Sequence, residues 1–256
     1  MAQQKIPTVV AHRGYAAQYP ENTLEAIRAA LEAGIPYVEV DIQLTSDKVP
    51  ILFHDAELAR TTDATGSIFE RDLAALASVC AGEPARFGQR FKTTRIPTLA
   101  ALVDLLRSMP EAGAFIEIKE ESLAHFGHDE VCSRVLAELA PVNARCCVIS
   151  YDAKALQNAR DQGASAIGWV LTRYDAEAER AATALAPDFL ICNQMKLPDN
   201  ATPWPGPWQW MLYDIVEPDQ AVAWAARGVS LIETADIGGM LQDSRLKQRA
   251  CPHGAL

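Results

Sequence analysis

Tyr37-Val38-Glu39-Val40-Asp41-Ile42-Gln43-Leu44, followed by Thr45-Ser46-Asp47-Lys48 and then Val49-Pro50-Ile51-Leu52-Phe53-His54-Asp55, is the stretch on which the reading of the chain turns. Alternate side chains of an extended strand share a face, so Glu39, Asp41 and Gln43 point one way and Val38, Val40, Ile42 and Leu44 the other. The polar break at Ser46-Asp47-Lys48 lets the second apolar segment fold back and deliver His54 and Asp55 near the first pair of acids. A plain alternative is an amphipathic edge strand whose carboxylates sit in water. Against it stands a second strand of the same construction, Ala114 to Glu120, in which Glu117 and Lys119 share one face and Ile116 and Ile118 the other. A third carboxylate is thereby placed like the first two.

Working outward, the run Thr8 to Ala11 ends in His12-Arg13-Gly14, with His12 on the face of Val10. A helix follows, with Asn22 as its N-cap, Glu25 as reciprocal partner, Leu24, Ile27, Ala30 and Leu31 as its apolar stripe and Gly34 as its exit. Residues 56–97 lose a clear period and read as an insertion that still carries Ile68, Phe69, Leu73, Leu76, Phe87 and Phe91. Thr98 then caps a helix containing Leu99, Leu102, Val103, Leu105 and Leu106. Beyond Glu117, apolar strands at Cys146 to Ser150, Ala166 to Leu171, Phe189 to Cys192, Trp210 to Ile215 and Val229 to Ile232 alternate with helical patterns near 129–139, 152–162, 175–186 and 217–227. Asp152 and Asp175 suit N-caps, and Gly163 and Gly228 suit exits.

With the strands at His12, Glu39 and Glu117, these make eight, each followed by helical sequence. That pattern predicts an α/β fold, a (β/α)₈ TIM barrel with a small insertion after the second strand, at about 46–97, in a single domain over residues 1–256. The segment 49–55 is then an added antiparallel arm. A doubly wound sheet would carry a glycine-rich first turn, and His12-Arg13-Gly14-Tyr15 is not one. In a barrel, His12, Glu39, Asp41, Glu117 and Lys119 point into one cup at the C-terminal ends of the strands.

A chain of 256 residues, 49% hydrophobic, can bury a large core. Its net charge of −10 argues against nucleic acid or an anionic membrane surface as the main partner, since both repel it at long range. The first residues lack the apolar core of a signal peptide, and no run of about 18 apolar residues suggests a membrane span. Six cysteines, Cys80, Cys132, Cys146, Cys147, Cys192 and Cys251, show no CxxC spacing and read as reduced, mostly buried thiols. A cytoplasmic protein is expected.

Three carboxylates in one cup repel, so some must be protonated or a cation must lie among them. Oxygen-only ligation by Glu39, Asp41 and Glu117 suits a hard divalent cation, Mg²⁺ or Ca²⁺ with Mn²⁺ as a further option, more than zinc. Lys119 can neutralise one acid. His12 and His54 form a natural acid/base couple for displacement at phosphorus, and Arg13 supplies a planar fork for phosphate oxygens. Taken singly, each has a duller reading, a hydrogen-bonded structural histidine or a rim arginine.

Together, His12-Arg13-Gly14, Pro20-Glu21-Asn22-Thr23, Glu39-Val40-Asp41, His54-Asp55 and Glu117-Ile118-Lys119, in this order and spacing, closely resemble the glycerophosphodiester phosphodiesterase family. Leu58-Ala59-Arg60-Thr61-Thr62 and Arg95-Ile96-Pro97-Thr98-Leu99 are similar to it too. The resemblance is strong over residues 8 to about 120 and continues weakly to about 237. It implies a barrel with a divalent metal on Glu39, Asp41 and Glu117, and acid/base roles for His12 and His54. It further implies cleavage of a small-molecule glycerophosphodiester into sn-glycerol 3-phosphate and an alcohol, through attack by the substrate's own 2-hydroxyl and a cyclic phosphate. Two departures stand out. Glu120-Glu121 replace the usual Pro after Lys119, and Tyr213-Asp214-Ile215-Val216 replace an aromatic-Thr-Val-Asn pattern at what would be the alcohol-side pocket. Trp204, Trp208 and Trp210 could line that pocket, although packing is the commoner use of such residues. A lysophospholipase D, which needs an apolar groove for an acyl chain, and a non-catalytic phosphate-binding barrel are the alternatives.

Overall fold

The computed structural model describes residues 5–198 and 200–247. Nine strands run β1 (Thr8–His12), β2 (Tyr37–Leu44), β3 (Pro50–Leu52), β4 (Gly113–Ile118), β5 (Cys146–Ser150), β6 (Ile167–Leu171), β7 (Phe189–Asn193), β8 (Gln209–Tyr213) and β9 (Leu231–Thr234). Eight are parallel and pair in the order β1-β9-β8-β7-β6-β5-β4-β2, and β1 pairs also with β2, which closes the ring. This is the (β/α)₈ barrel expected from the alternation, and the closure excludes an open doubly wound sheet. The ninth strand, β3, lies antiparallel on β2 through Ile42 opposite Leu52 and Leu44 opposite Pro50, as the extra arm.

The two faces of β2 sort as period two requires. Val38, Val40, Ile42 and Leu44 pack outward with Ile27, Leu102 and Leu106 from the surrounding helices. The lumen is filled by Val10, Phe115, Cys147, Ile149, Phe189, Ile191, Met211 and Leu231, with Tyr37, Tyr151 and Tyr213 packed against them. This apolar plug supports whatever lies above it at the C-terminal ends of the strands.

The caps are local chemistry. Thr98 Oγ1 accepts from Ala101 N, and the Asp152 and Asp175 carboxylates each accept from two backbone N–H groups of the helices they open. Gly34, Gly163 and Gly228 leave their helices at positive φ. One expected cap moves by a residue. The helix Leu24–Glu32 is capped by Thr23, whose Oγ1 accepts from Ala26 N, while Asn22 takes a left-handed φ of 55° and turns to β2.

The insertion has a small core of its own, made of Ile51, Phe53, Leu58, Ile68, Leu76, Val79, Ala81 and Ile96. Phe69 and Leu73 lie against it, whereas Phe87 and Phe91 join Tyr19 on the outside. Cys80, Cys132, Cys146, Cys147 and Cys192 are unpaired, and Cys251 lies outside the described residues. Among the described residues no helix is long and apolar enough to cross a membrane.

Gly14 fixes the approach of the first helix to β1. Its φ is +80°, and a Cβ there would come within 2.7–2.8 Å of Ala26 C, Ala26 Cβ and Ile27 N. Gly14→Ala combines left-handed strain with a backbone clash and should cost at least about 2 kcal/mol, lowering the melting temperature by several degrees in a chain of this size. An unchanged thermal midpoint would contradict this packing.

Candidate active site

Parallel register brings the polar side chains level with one another. His12 on β1 is the partner of Glu39 on β2, and Asp41 on β2 is the partner of Glu117 on β4. Their lumen-facing side chains therefore meet above the apolar plug. Carboxylate oxygens of Glu39, Asp41 and Glu117 all lie within 4.8 Å of one another, and so do ligand atoms of His12, Glu39 and Glu233. The β2–β3 hairpin returns the chain so that Phe53 N donates to Asp41 O at 2.9 Å, and His54 follows at the same mouth.

Two cations sit among these acids. Arg13 Nε lies 3.1 Å from Asp41 Oδ2, Arg13 N donates to Glu39 Oε2 at 3.1 Å, and Arg13 Nη1 donates to Glu21 Oε1 at 2.8 Å. The left-handed φ of 55° at Arg13 turns backbone and side chain toward the acids together. Lys119 Nζ lies 2.7 Å from Glu117 Oε1 and 3.3 Å from Asp41 Oδ1. Asn22 completes the cradle, since its Nδ2 donates to Asp41 Oδ2 at 2.8 Å and its Oδ1 accepts from Asp41 N at 3.0 Å.

These contacts split the acids. Burial alone would raise Asp41, but Arg13 and Lys119 outweigh it and hold that carboxyl well below the usual range. Burial and the Asp41 charge push Glu117 up to about 7 against the pull of Lys119. Burial, Asp41 and Glu233 raise Glu39 well above its ordinary value, and burial with Glu117 does the same to Glu233. Four buried or half-buried carboxylates thus face two cations, and the cup is short of positive charge. Glu39 Oε1 is buried with no hydrogen-bond donor among the described residues. A hard divalent cation fits this donor set: oxygen ligands, an orphaned buried oxygen and the missing positive charge.

The two imidazoles stand in different surroundings. Burial, aided by the Arg13 charge, lowers His12 to about 4. Its Nε2 is 3.3 Å from Glu233 Oε1 and 3.9 Å from Glu39 Oε2. His54 is more open, with Nδ1 2.5 Å from Asp55 Oδ1. Arg60 Nε donates to Asp55 Oδ2 at 2.6 Å, and its Nη1 and Nη2 reach Glu21 at 2.9 and 2.7 Å. A ladder of ion pairs therefore runs from Asp55 through Arg60, Glu21 and Arg13 to Asp41. Among the rim acids, Glu121 accepts from Gln43 Nε2 at 3.3 Å.

All seven residues singled out from the sequence, His12, Arg13, Glu39, Asp41, His54, Glu117 and Lys119, stand at this mouth. Glu233 lies beyond the end that the apolar pattern gives the last strand at Ile232; its signal in the sequence is a lone acid two residues after Leu231, on the same strand face. Asn22 was assigned to the helix cap when its partner is Asp41. Tyr151 and Tyr213 hydroxyls, 2.9 Å apart, close the far wall. Trp208 and Trp210 belong to the outer core with Trp224, and Trp204 stacks on Tyr174 at 4.1 Å, so all three are packing residues.

Residues 12–195 match the family model described as the Glycerophosphoryl diester phosphodiesterase family. A glycerophosphodiester phosphodiesterase of Caldanaerobacter subterraneus subsp. tengcongensis is 34% identical over 130 residues, covering 51% of this chain and 52% of that protein. Glycerophosphodiester phosphodiesterase 1 of Mus musculus is 35% identical over 133 residues, covering 52% of this chain and 38% of that one. The matched stretch thus spans about half or less of these curated relatives. Among solved structures, an Oleispira antarctica phosphodiesterase in complex with the product sn-glycerol-3-phosphate superposes with a TM-score of 0.81 at 26% identity, over 93% of this chain and 96% of that one. A glycerophosphodiester phosphodiesterase from Agrobacterium tumefaciens, at 22% identity, shares the fold with a TM-score of 0.73 over 93% and 100% of the two chains.

The partner of Asn22 can be tested. Asn22→Ala removes both hydrogen bonds to buried Asp41 and should cost about 2 kcal/mol in urea denaturation. Asn22→Asp retains the ability to cap a helix but adds a carboxylate beside Asp41, so it should cost at least as much; wild-type stability in that variant would restore the capping role.

Proposed function

The chain belongs to the glycerophosphoryl diester phosphodiesterase family, and from that premise we propose that it hydrolyses glycerophosphodiesters to sn-glycerol 3-phosphate and an alcohol. The observation that carries this reading is the meeting of His12 and His54 at one barrel mouth with Glu39, Asp41, Glu117, Arg13 and Lys119. A likeness to a structure holding sn-glycerol-3-phosphate supports the same substrate class.

In this proposal Glu39, Asp41 and Glu117 hold a divalent cation, Mg²⁺ or Ca²⁺ with Mn²⁺ as a further option. When bound it would supply positive charge to the phosphate and make the attacking hydroxyl more acidic. His12, whose Nε2 stands beside Glu233 and Glu39 at the acid cluster, accepts the proton of the glycerol 2-hydroxyl. That oxygen attacks phosphorus, and intramolecular attack gains effective concentration. Asp55 occupies Nδ1 of His54 and leaves Nε2 to give its proton to the departing alcohol. The product of this step is a cyclic phosphate. In the second step the two histidines exchange roles: His54 takes a proton from water as it opens the ring, and His12 returns one to the 2-oxygen. Arg13 and Lys119 face the phosphate oxygens as they gain charge.

We further propose that barrel and insertion, about 46–97, act as one domain, because Arg60 of the insertion holds both Asp55 and Glu21. The unpaired cysteines suit a reducing compartment, and we place the protein in the cytoplasm. One observation favours a second reading, a lysophospholipase D. The two exposed large hydrophobic side chains among the described residues, Met195 (83%) and Val216 (49%), stand on neighbouring loops after β7 and β8, joined by Gln194 Nε2 donating to Asp214 O at 2.6 Å.

The test is release of sn-glycerol 3-phosphate from glycerophosphocholine and glycerophosphoethanolamine with Mg²⁺, Ca²⁺ or Mn²⁺ supplied. Chelation should abolish activity and re-addition restore it. His12→Ala and His54→Ala should each lower kcat by about 10²–10⁴-fold, with folding and metal affinity retained. No turnover under any of the three metals would sink the proposal and favour a non-catalytic phosphate-binding barrel, and full activity in either histidine variant would remove that residue's role. Lysophosphatidylcholine assayed alongside decides the second reading: turnover that exceeds the deacylated diester, and falls in Met195→Asp, would favour it.

A further inference from the structure

The stretch Pro84-Ala85-Arg86-Phe87-Gly88-Gln89-Arg90-Phe91-Lys92-Thr93-Thr94-Arg95 carries four cations and no carboxylate, in a chain whose net charge is −10. Arg86, Arg90, Lys92 and Arg95 are exposed, and Phe87 and Phe91 are half-exposed between them. Phe91 packs edge-on against Phe87 at 5.2 Å and against Tyr19 at 5.7 Å. The Arg90 guanidinium lies 4.7 Å from the Phe91 ring centre and 5.7 Å from that of Tyr19, and Arg86 lies 4.6 Å from that of Phe87. The result is a surface of stacked aromatic and arginine side chains.

Glu83 pairs with Arg86 at 2.6 Å, and the other three charges are not cancelled locally. Among the described residues no ion pair joins Arg90, Lys92 or Arg95 to an acid. Arg95 Nη1 donates only to the carbonyls of Lys92 and Thr94. Of the neighbouring acids, Glu83 accepts from Arg86 and from Glu21 N, and Glu25 accepts from the neutral Thr94 hydroxyl. The patch is also anchored to the barrel. Arg86 Nη2 donates to Ala16 O at 2.7 Å, and Glu83, the residue before the stretch, binds the backbone of Glu21, which in turn holds Arg13 and Arg60 of the mouth.

We propose that this face of the insertion docks on an anionic phospholipid surface. Interleaved cations and half-exposed aromatic rings are what such a surface selects, since the charges meet lipid phosphates while the rings enter the headgroup layer. The negative charge of the rest of the chain opposes approach at long range, but at physiological salt the Debye length is about 8 Å. Distant carboxylates are therefore screened while the patch itself is in contact. The overall charge then acts as an orienting device, because this face is attracted while the acidic remainder is repelled. Docking here is independent of the proposed reaction and carries no requirement for turnover.

The test is co-sedimentation of the full chain with vesicles of phosphatidylcholine alone and of phosphatidylcholine with about a third phosphatidylserine. Three unpaired cations should favour the anionic vesicles by on the order of 100-fold in partitioning, and 0.5 M NaCl should remove most of that preference. Arg90→Glu together with Lys92→Glu should abolish it while leaving folding, and hydrolysis of a soluble diester if that activity is present, unchanged. Phe87→Ser should weaken binding at both salt concentrations. Equal sedimentation with the two vesicle types, full binding by the charge-reversed variant, or retention on duplex DNA without vesicle binding would each overturn the proposal. A charge-reversed variant that misfolds is replaced by Lys92→Gln, which should still lower binding several-fold.

Discussion

Like-charge repulsion inside a low-dielectric cup is the constraint on which the architecture of the mouth depends. Glu39, Asp41 and Glu233 are buried and Glu117 is nearly so. Carboxylates brought this close cannot all ionise without compensation, and the cost falls on folding unless cations are near. Arg13 and Lys119 are spent mainly on Asp41, which remains ionised, whereas Glu39, Glu117 and Glu233 are pushed toward the neutral form. A protein that evades this conflict would place hydrophobic residues here. Its persistence at the end of a well-packed barrel is the physical reason to regard the mouth as a binding site and not as part of the core.

The barrel makes that arrangement affordable by dividing labour along its axis. Below the acids, Phe115, Phe189, Ile191 and Met211 fill the lumen and stabilise the ring irrespective of what sits above. Above them, parallel register puts His12 beside Glu39 and Asp41 beside Glu117. The insertion supplies the remaining constraint through Arg60, which grips Asp55 and Glu21 at once. Through Asp55 and Arg60 the orientation of His54 in the insertion is thereby coupled to Glu21 on the barrel side.

Period-two alternation made most of this legible in the sequence. The faces of β2 and β4, and with them Glu39, Asp41, Glu117 and Lys119, followed from counting residues, because a strand buried on both sides leaves no register slack. Helix caps at Thr98, Asp152 and Asp175 were equally local. What could not be read were interactions that cross the chain. Asn22 looks like a cap because Asn is a good one, and only the approach of β2 shows that Asp41 offers it two hydrogen bonds. Glu233 sits in an apolar run whose end was placed too early, so its lumen-facing carboxyl went unnoticed. The basic face at Arg86 to Arg95 is visible as composition, yet it is a tertiary fact that Glu83 pairs with Arg86 and that, among the described residues, no acid pairs with Arg90, Lys92 or Arg95.

The unequal surroundings of the two histidines follow from the same layout. His12 ends a barrel strand and is half-buried, and burial with the Arg13 charge lowers its imidazole to about 4. His54 follows the short β3 arm and remains more exposed, with Asp55 on one nitrogen and Arg60 behind it. Asp55 fixes the ring of His54 through Nδ1, whereas Glu233 and Glu39 stand nearest Nε2 of His12. The antiparallel arm therefore has a chemical consequence: it keeps one imidazole out of the enclosed end of the barrel and in reach of a counter-ion.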